Sequence, residues 1–307
     1  MERNSKVVFT NHPFSEGVKD KPIFINENLI GKFIYPDTGQ LDYSDINYMY
    51  LSTDNITVCI MEIGPGGFFN PPDYHPGDEA YFILQGEITQ FNPLNGQCIV
   101  VPKDNSLLIP KGTMHSAYNF GKETVRVLAV IAPKIVEDQN FPTDTDVQKA
   151  IYNSAAALNS NASRFDEPNV HNSIRDLGKF PLEGELLRTE KIIYHIDEQK
   201  KLKVIHGDTR PILMKFSVSN DFMDLGEYIV PTGGVVARYS EIIKHEMESL
   251  IFCVDETPIT VYFPDTGETH VLKSYDAIYI PPKTSHQLIN YGNGIARSIF
   301  VVAKHNF

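Results

Sequence analysis

The chain repeats itself, and no other feature of its 307 residues restricts the fold as strongly. The run Pro110-Lys111-Gly112-Thr113-Met114-His115-Ser116-Ala117-Tyr118-Asn119 returns as Pro281-Pro282-Lys283-Thr284-Ser285-His286-Gln287-Leu288-Ile289-Asn290. Pro231-Thr232-Gly233-Gly234 echoes Gly64-Pro65-Gly66-Gly67, and the apolar run from Glu248 to Val254 follows the pattern of Glu79 to Gln85. Arg126 and Arg297 stand at the same distance beyond His115 and His286. The hairpin signal Asn95-Gly96 is replaced in the second half by Asp265-Thr266-Gly267. Short strand-like runs between turn signals, in two matching halves, predict an all-β chain built as two small antiparallel barrels.

The first half carries the chemistry. Asp73, His75 and Glu79 share one parity, so on a strand their side chains point to one face. The residues after Glu79, from Ala80 to Gln85, read as continuous strand, and His115 lies across the hairpin after a Pro-x-Gly turn. Two imidazoles and a carboxylate converging on one face form the set that holds a mononuclear metal with open positions. The alternative is an ordinary strand with scattered polar residues, where a lone histidine is more often structural. Against that stands the spacing: Asp-x-His-x3-Glu-x6-Gly, then Pro-x-Gly-x2-His-x3-Asn. Phe68, Phe69, Tyr74, Tyr81 and Tyr118 flank the motif, and Tyr81 and Ile83 share the parity of Glu79. An aromatic and aliphatic lining is expected, part of it simple core packing.

Matched at His75, Glu79, Gly86, Pro110, Gly112, His115 and Asn119, the two motifs resemble those of the cupin family. With the repeat, the resemblance is to a bicupin over roughly two-thirds of the sequence. It implies two tandem double-stranded β-helix (jelly-roll) barrels, and carries over His75, Glu79 and His115 as metal ligands. In layout the chain resembles bicupin dioxygenases of the gentisate and hydroquinone type. That likeness implies Fe(II), O2 and a small dihydroxylated aromatic substrate. The alternatives are a Mn(II) or other divalent-metal decarboxylase, isomerase or lyase acting on a small carboxylate or sugar, and a non-catalytic small-molecule-binding bicupin. The sequence departs from the family at Asp73, where a first His is usual, and at Asp104, where the second motif usually opens with Gly. Asp73 is a fourth ligand, an acceptor orienting an imidazole, or a contact to substrate. The expectation is a catalytic role off the metal for Asp73, with Tyr81 beside it.

His245, Glu248 and His286 form a second, weaker candidate site, complete only if a bulge absorbs one residue, because His-x2-Glu breaks the period of two along a strand. Otherwise they are remnants in a barrel that serves stability or dimerisation. The other histidines, His12, His171, His195, His206, His270 and His305, lack spaced partners and are expected on loops or surfaces. The domains are read as 1–136, a first barrel with leading strands, and 137–185, a polar linker with one helix over 147–158. The second barrel follows as 186–307. In two-domain cupins such leading strands often pack on the partner barrel, and Phe33-Ile34-Tyr35 is one such candidate.

A formal charge of -12 argues against nucleic acid and anionic membranes as partners. No apolar run is long enough to span a bilayer, and Met1-Glu2-Arg3-Asn4-Ser5-Lys6 does not read as a signal peptide. Cys59, Cys98 and Cys253, an odd and unclustered set in apolar surroundings, read as buried free thiols. A cytoplasmic homo-oligomer, a dimer, is expected, with a small molecule and O2 as its partners.

Overall fold

The computed structural model describes residues 20–35, 45–53, 55–69, 72–133, 178–206, 211–236 and 242–304. These fall into two compact units, 31–200 and 201–304, with residues 20–30 belonging to the second. Each unit is built from two antiparallel sheets, so the all-β, two-barrel expectation holds.

In the first unit a seven-stranded sheet runs in the order Tyr194–Ile196, Ser106–Ile109, Asp78–Gln85, Val125–Ala132, Thr57–Ile63, Asp45–Ser52, Lys32–Tyr35. A three-stranded sheet runs Gln97–Pro102, Glu87–Asn92, Ser116–Tyr118, and every pairing is antiparallel. Alternation decides what faces inward. Gln97–Pro102 alternates buried and exposed along its length, whereas Asp78–Gln85, central in its sheet, is buried almost throughout. Tyr81, Ile83, Ile88, Val101, Val127 and Ala117 meet in the interior. Gly96 takes a positive φ of 76° to close the hairpin at the predicted place.

The second unit repeats the plan with sheets of seven and four strands around Val230, Ile251, Val261, Phe263, Ile278 and Leu288. Its hairpin turns at Gly267, φ 76°. Lys201 and Glu227 form an ion pair with both side chains fully buried.

Four expectations need correction or limits. The leading segment divides: Ile23–Ile25 pairs with Ala277–Ile280 of the second barrel, while Lys32–Tyr35 pairs with Asp45–Ser52 of the first. Conversely Tyr194–Ile196, placed by sequence in the second barrel, pairs with Ser106–Ile109 of the first, since strand pairing follows an open edge rather than chain order. The helix expected over 147–158 lies outside the described residues; the helix seen is Gly184–Glu190. Cys98 is exposed, on the outward parity of its strand, whereas Cys59 and Cys253 are buried; all three are free.

Candidate metal centre

His75, Glu79 and His115 come together in the first barrel, their candidate ligand atoms all within 4.8 Å of one another and all three residues buried. The backbone builds this arrangement. Asp73 and His115 form a two-way bridge, each N–H donating to the other's carbonyl at 2.8 Å. Gly112, at φ 68°, donates to the carbonyl of His75 at 2.9 Å, fixing the Pro-x-Gly turn against the ligand loop. Asp78, one residue before Glu79, accepts from Lys111 N at 2.8 Å and pairs with Arg188 of the helix at 2.7 Å. The helix thereby ties the start of the Glu79 strand to the turn that delivers His115.

The donor atoms fit a cation. A carbonyl only accepts, so the 3.0 Å contact from His115 Nδ1 to Thr113 O selects the tautomer protonated on Nδ1, the one whose Nε2 can ligate. That Nε2 sits 2.8 Å from Glu79 Oε2, with His75 Nε2 3.3 Å from the same oxygen. The oxygen is buried and makes no hydrogen bond of proper geometry. Ligand atoms turned toward one point in an apolar interior need a positive charge among them, which a divalent ion supplies, or a proton held on His75 when no ion is bound. Burial opposes charge on both His75 and Glu79. The pull of Asp73 and Glu79 nevertheless raises His75 to about 9, and the two imidazoles lower Glu79 to about 2.

Asp73 stands apart from this set. Its Oδ1 accepts from Tyr74 N at 2.7 Å, and its Oδ2 lies 3.9 Å from His75 Nδ1, the ring atom that faces away from Glu79. Tyr81 is buried against His115 at 6.4 Å between ring centroids, and burial, then Glu79, push its phenol well above its usual range. Phe69 packs edge-on to His115 at 5.7 Å. Asp104 takes the left-handed φ of 66° that a glycine usually provides, so the departure there costs backbone strain and leaves the fold intact.

In the second barrel the frame survives and the ligand set does not. Ile243 and His286 repeat the two-way bridge, Lys283 at φ 60° donates to His245 O, and His286 Nδ1 is held on Thr284 O at 3.1 Å. The register then slips. Glu79 pairs with Ile109 and Ile131, and the matching pairs with Ile280 and Val302 fall on Ser249. Glu248 therefore takes the place of Asp78, on the opposite face, because no bulge absorbs the missing residue. His245 and His286 remain neighbours at 5.7 Å without a carboxylate. Burial first, then His245, pushes His286 down to about 4. Among the described residues, the group that brings three possible ligands together is His75, Glu79 and His115.

Two contributions escaped the sequence reading. The Asp78–Arg188 tie joins residues far apart in the chain, and no local pattern announces it. Gln90 is fully buried, on the inward parity of its strand, with neither side-chain atom hydrogen-bonded; a polar residue at an inward position was the available signal. Of the remaining histidines, His195 bonds with Asn105, and His270 lies between Phe24 and Phe263; both are on strands, not loops. Arg126 pairs with Glu62 and covers the Tyr48 ring.

Comparison with known proteins agrees with the geometry. Residues 59–131 match the family model of the cupin domain. A curated relative, the rhicadhesin receptor of Pisum sativum, is 32% identical over 98 residues, 30% of this chain, and the match spans 44% of that protein's length. Among solved structures, a glyoxylate-induced protein from Pseudomonas aeruginosa superposes with a TM-score of 0.58 at 15% identity, covering 96% of this chain and 97% of that one. An oxalate decarboxylase mutant from Bacillus subtilis superposes with a TM-score of 0.55 at 15% identity, over 95% and 80%. At such identities the likeness is one of fold. No helix among the described residues is long and apolar enough to cross a membrane.

Proposed function

We propose that the first barrel is the active site of a metal-dependent oxidoreductase, a mononuclear Fe(II) dioxygenase acting on a small, dihydroxylated aromatic molecule. The observation that carries this reading is a three-residue donor set from which Asp73 is turned away. Two imidazoles and one carboxylate would hold a divalent ion by three ligands and leave it open to a chelating substrate and to O2. Bound there, Fe(II) supplies Lewis acidity and one-electron chemistry with O2.

The protein's own residues supply placement and proton handling. Thr113 O fixes the tautomer and direction of His115, and the Asp78 ties fix the strand from which Glu79 projects. The Asp73 carboxylate, at the edge of the donor set, is placed to take up a proton from a substrate hydroxyl and holds His75 by charge. Tyr81 stays protonated and donates a hydrogen bond to bound substrate. Phe69 and the apolar interior exclude water from the reacting face.

A second reading has its own support. The structural likeness to oxalate decarboxylase covers 95% of this chain and favours redox-neutral, Mn(II)-dependent chemistry on a small carboxylate. Oxygen consumption by metal-loaded protein, measured on catechol, hydroquinone, gentisate and oxalate, separates the two. Turnover of a dihydroxylated aromatic that stops under anaerobiosis is the expected result; oxalate turnover unaffected by removing O2 gives the site to the second reading. Asp73→Asn is expected to keep nearly all its metal while losing most activity. Protein purified metal-free would make Asp73 a ligand and favour Mn(II).

A further inference from the structure

Gln90 has no structural task. Its side chain is fully buried, and neither the amide oxygen nor the amide nitrogen has a hydrogen-bond partner. Its strand alternates, with Ile88 on the same parity in the barrel interior, so the amide projects inward. The residues beside it in register are Ile99 and Ala117, both apolar members of that interior. A buried amide in such company is a standing cost, since both of its polar groups forgo water and gain nothing.

The repeat shows that the cost is avoidable. In the second barrel Val261 pairs with Leu288, the counterpart of Ala117, and so occupies the place of Gln90 as an apolar residue of its core. The polar residue therefore goes with the barrel that keeps the complete donor set. Gln90 also sits diagonal to His115 across the small sheet, where same-face neighbours are about 7–8 Å apart. His115 has the parity of Ala117, the partner of Gln90, so the amide faces the interior onto which the donor set opens.

Resting on the dioxygenase reading above, we propose that Gln90 selects the substrate by hydrogen-bonding a neutral hydroxyl on the side remote from the metal. A primary amide offers one donor group and one acceptor side by side, the complement of a hydroxyl, which both accepts and donates. Among the described residues of the first barrel no lysine or arginine is buried, so an anionic group placed there would lack a counter-charge. The preferred substrate class is thus a dihydroxylated ring whose remote group is a neutral hydroxyl, as in hydroquinone or in gentisate held at the metal through its carboxylate and neighbouring hydroxyl, and not a ring with a carboxylate on that side.

The test compares wild type with Gln90→Val, the residue found in the repeat, and Gln90→Glu, all metal-loaded. Metal content, thermal midpoint, and binding of hydroquinone, gentisate, phenol and oxalate by calorimetry are measured. Gln90→Val is expected to keep its metal, to melt at or above the wild-type temperature, and to bind hydroquinone about tenfold more weakly or worse. Phenol, with one hydroxyl, is expected to lose little. Gln90→Glu is expected to weaken hydroquinone binding too. If Gln90→Val binds hydroquinone as wild type does, or melts well below it, Gln90 is packing or structural and the inference fails while the dioxygenase reading stands. If wild type binds only oxalate, and Gln90→Val binds it equally well, both fall together.

Discussion

Lys201→Met is expected to destabilise the second barrel by about 3–5 kcal/mol, the cost of leaving a buried charge without its partner. The Lys201 ammonium and Glu227 carboxylate are 2.5 Å apart, both side chains fully buried. With the lysine gone, Arg297 still lies 3.7 Å from Glu227, and that guanidinium is shared with Asp255. Methionine matches the stem of lysine in volume, so the loss reports the charge and not a cavity. Chemical denaturation is the measure, and the double variant Lys201→Met/Glu227→Leu is expected to recover most of the loss. A drop below about 1 kcal/mol in the single variant would place the pair among the weak ones.

Gly77→Ala is expected to damage the first barrel by an overlap of about 1–3 kcal/mol or more, and to carry the metal site with it. A Cβ at Gly77 would overlap the carbonyl of Ala132 and press on Pro133 Cδ, and backbone cannot swing aside as a flexible side chain does. Gly77 lies between His75 and Glu79, so the shift that relieves the clash moves two of the three donors. The signature is a lower melting temperature together with weaker metal retention, whereas an equally destabilising change in the second barrel leaves the metal in place. Full metal occupancy in Gly77→Ala would show that the loop adjusts without moving the donors.

Much of this was legible in the sequence, because it rests on local period and on repetition. Two barrels follow from the repeated Pro-x-x-x-x-His-x3-Asn run and its turn residues, and the convergence of His75, Glu79 and His115 follows from parity plus one hairpin. What escaped depends on register and on distant pairing. Whether Glu248 or Ser249 faces inward turns on a single residue, which the pairs Ser249–Ile280 and Ser249–Val302 settle and residue types alone do not. The pairing of Tyr194–Ile196 with Ser106–Ile109 and of Ile23–Ile25 with Ala277–Ile280 reflects open sheet edges, which no local pattern encodes. Gln90 gives only the faint signal of a polar residue at an inward position, and its burial is what sets it apart.

The most direct test of the account is elemental analysis of wild type, His115→Ala and His286→Ala, each purified without added metal. His115 Nε2 lies 2.8 Å from Glu79 Oε2 in the first barrel, while His286, 5.7 Å from His245, belongs to no three-ligand group among the described residues. The prediction is one divalent ion per chain in wild type, the same in His286→Ala, and almost none in His115→Ala. Metal retained by His115→Ala and lost from His286→Ala would place the centre in the second barrel and contradict the account.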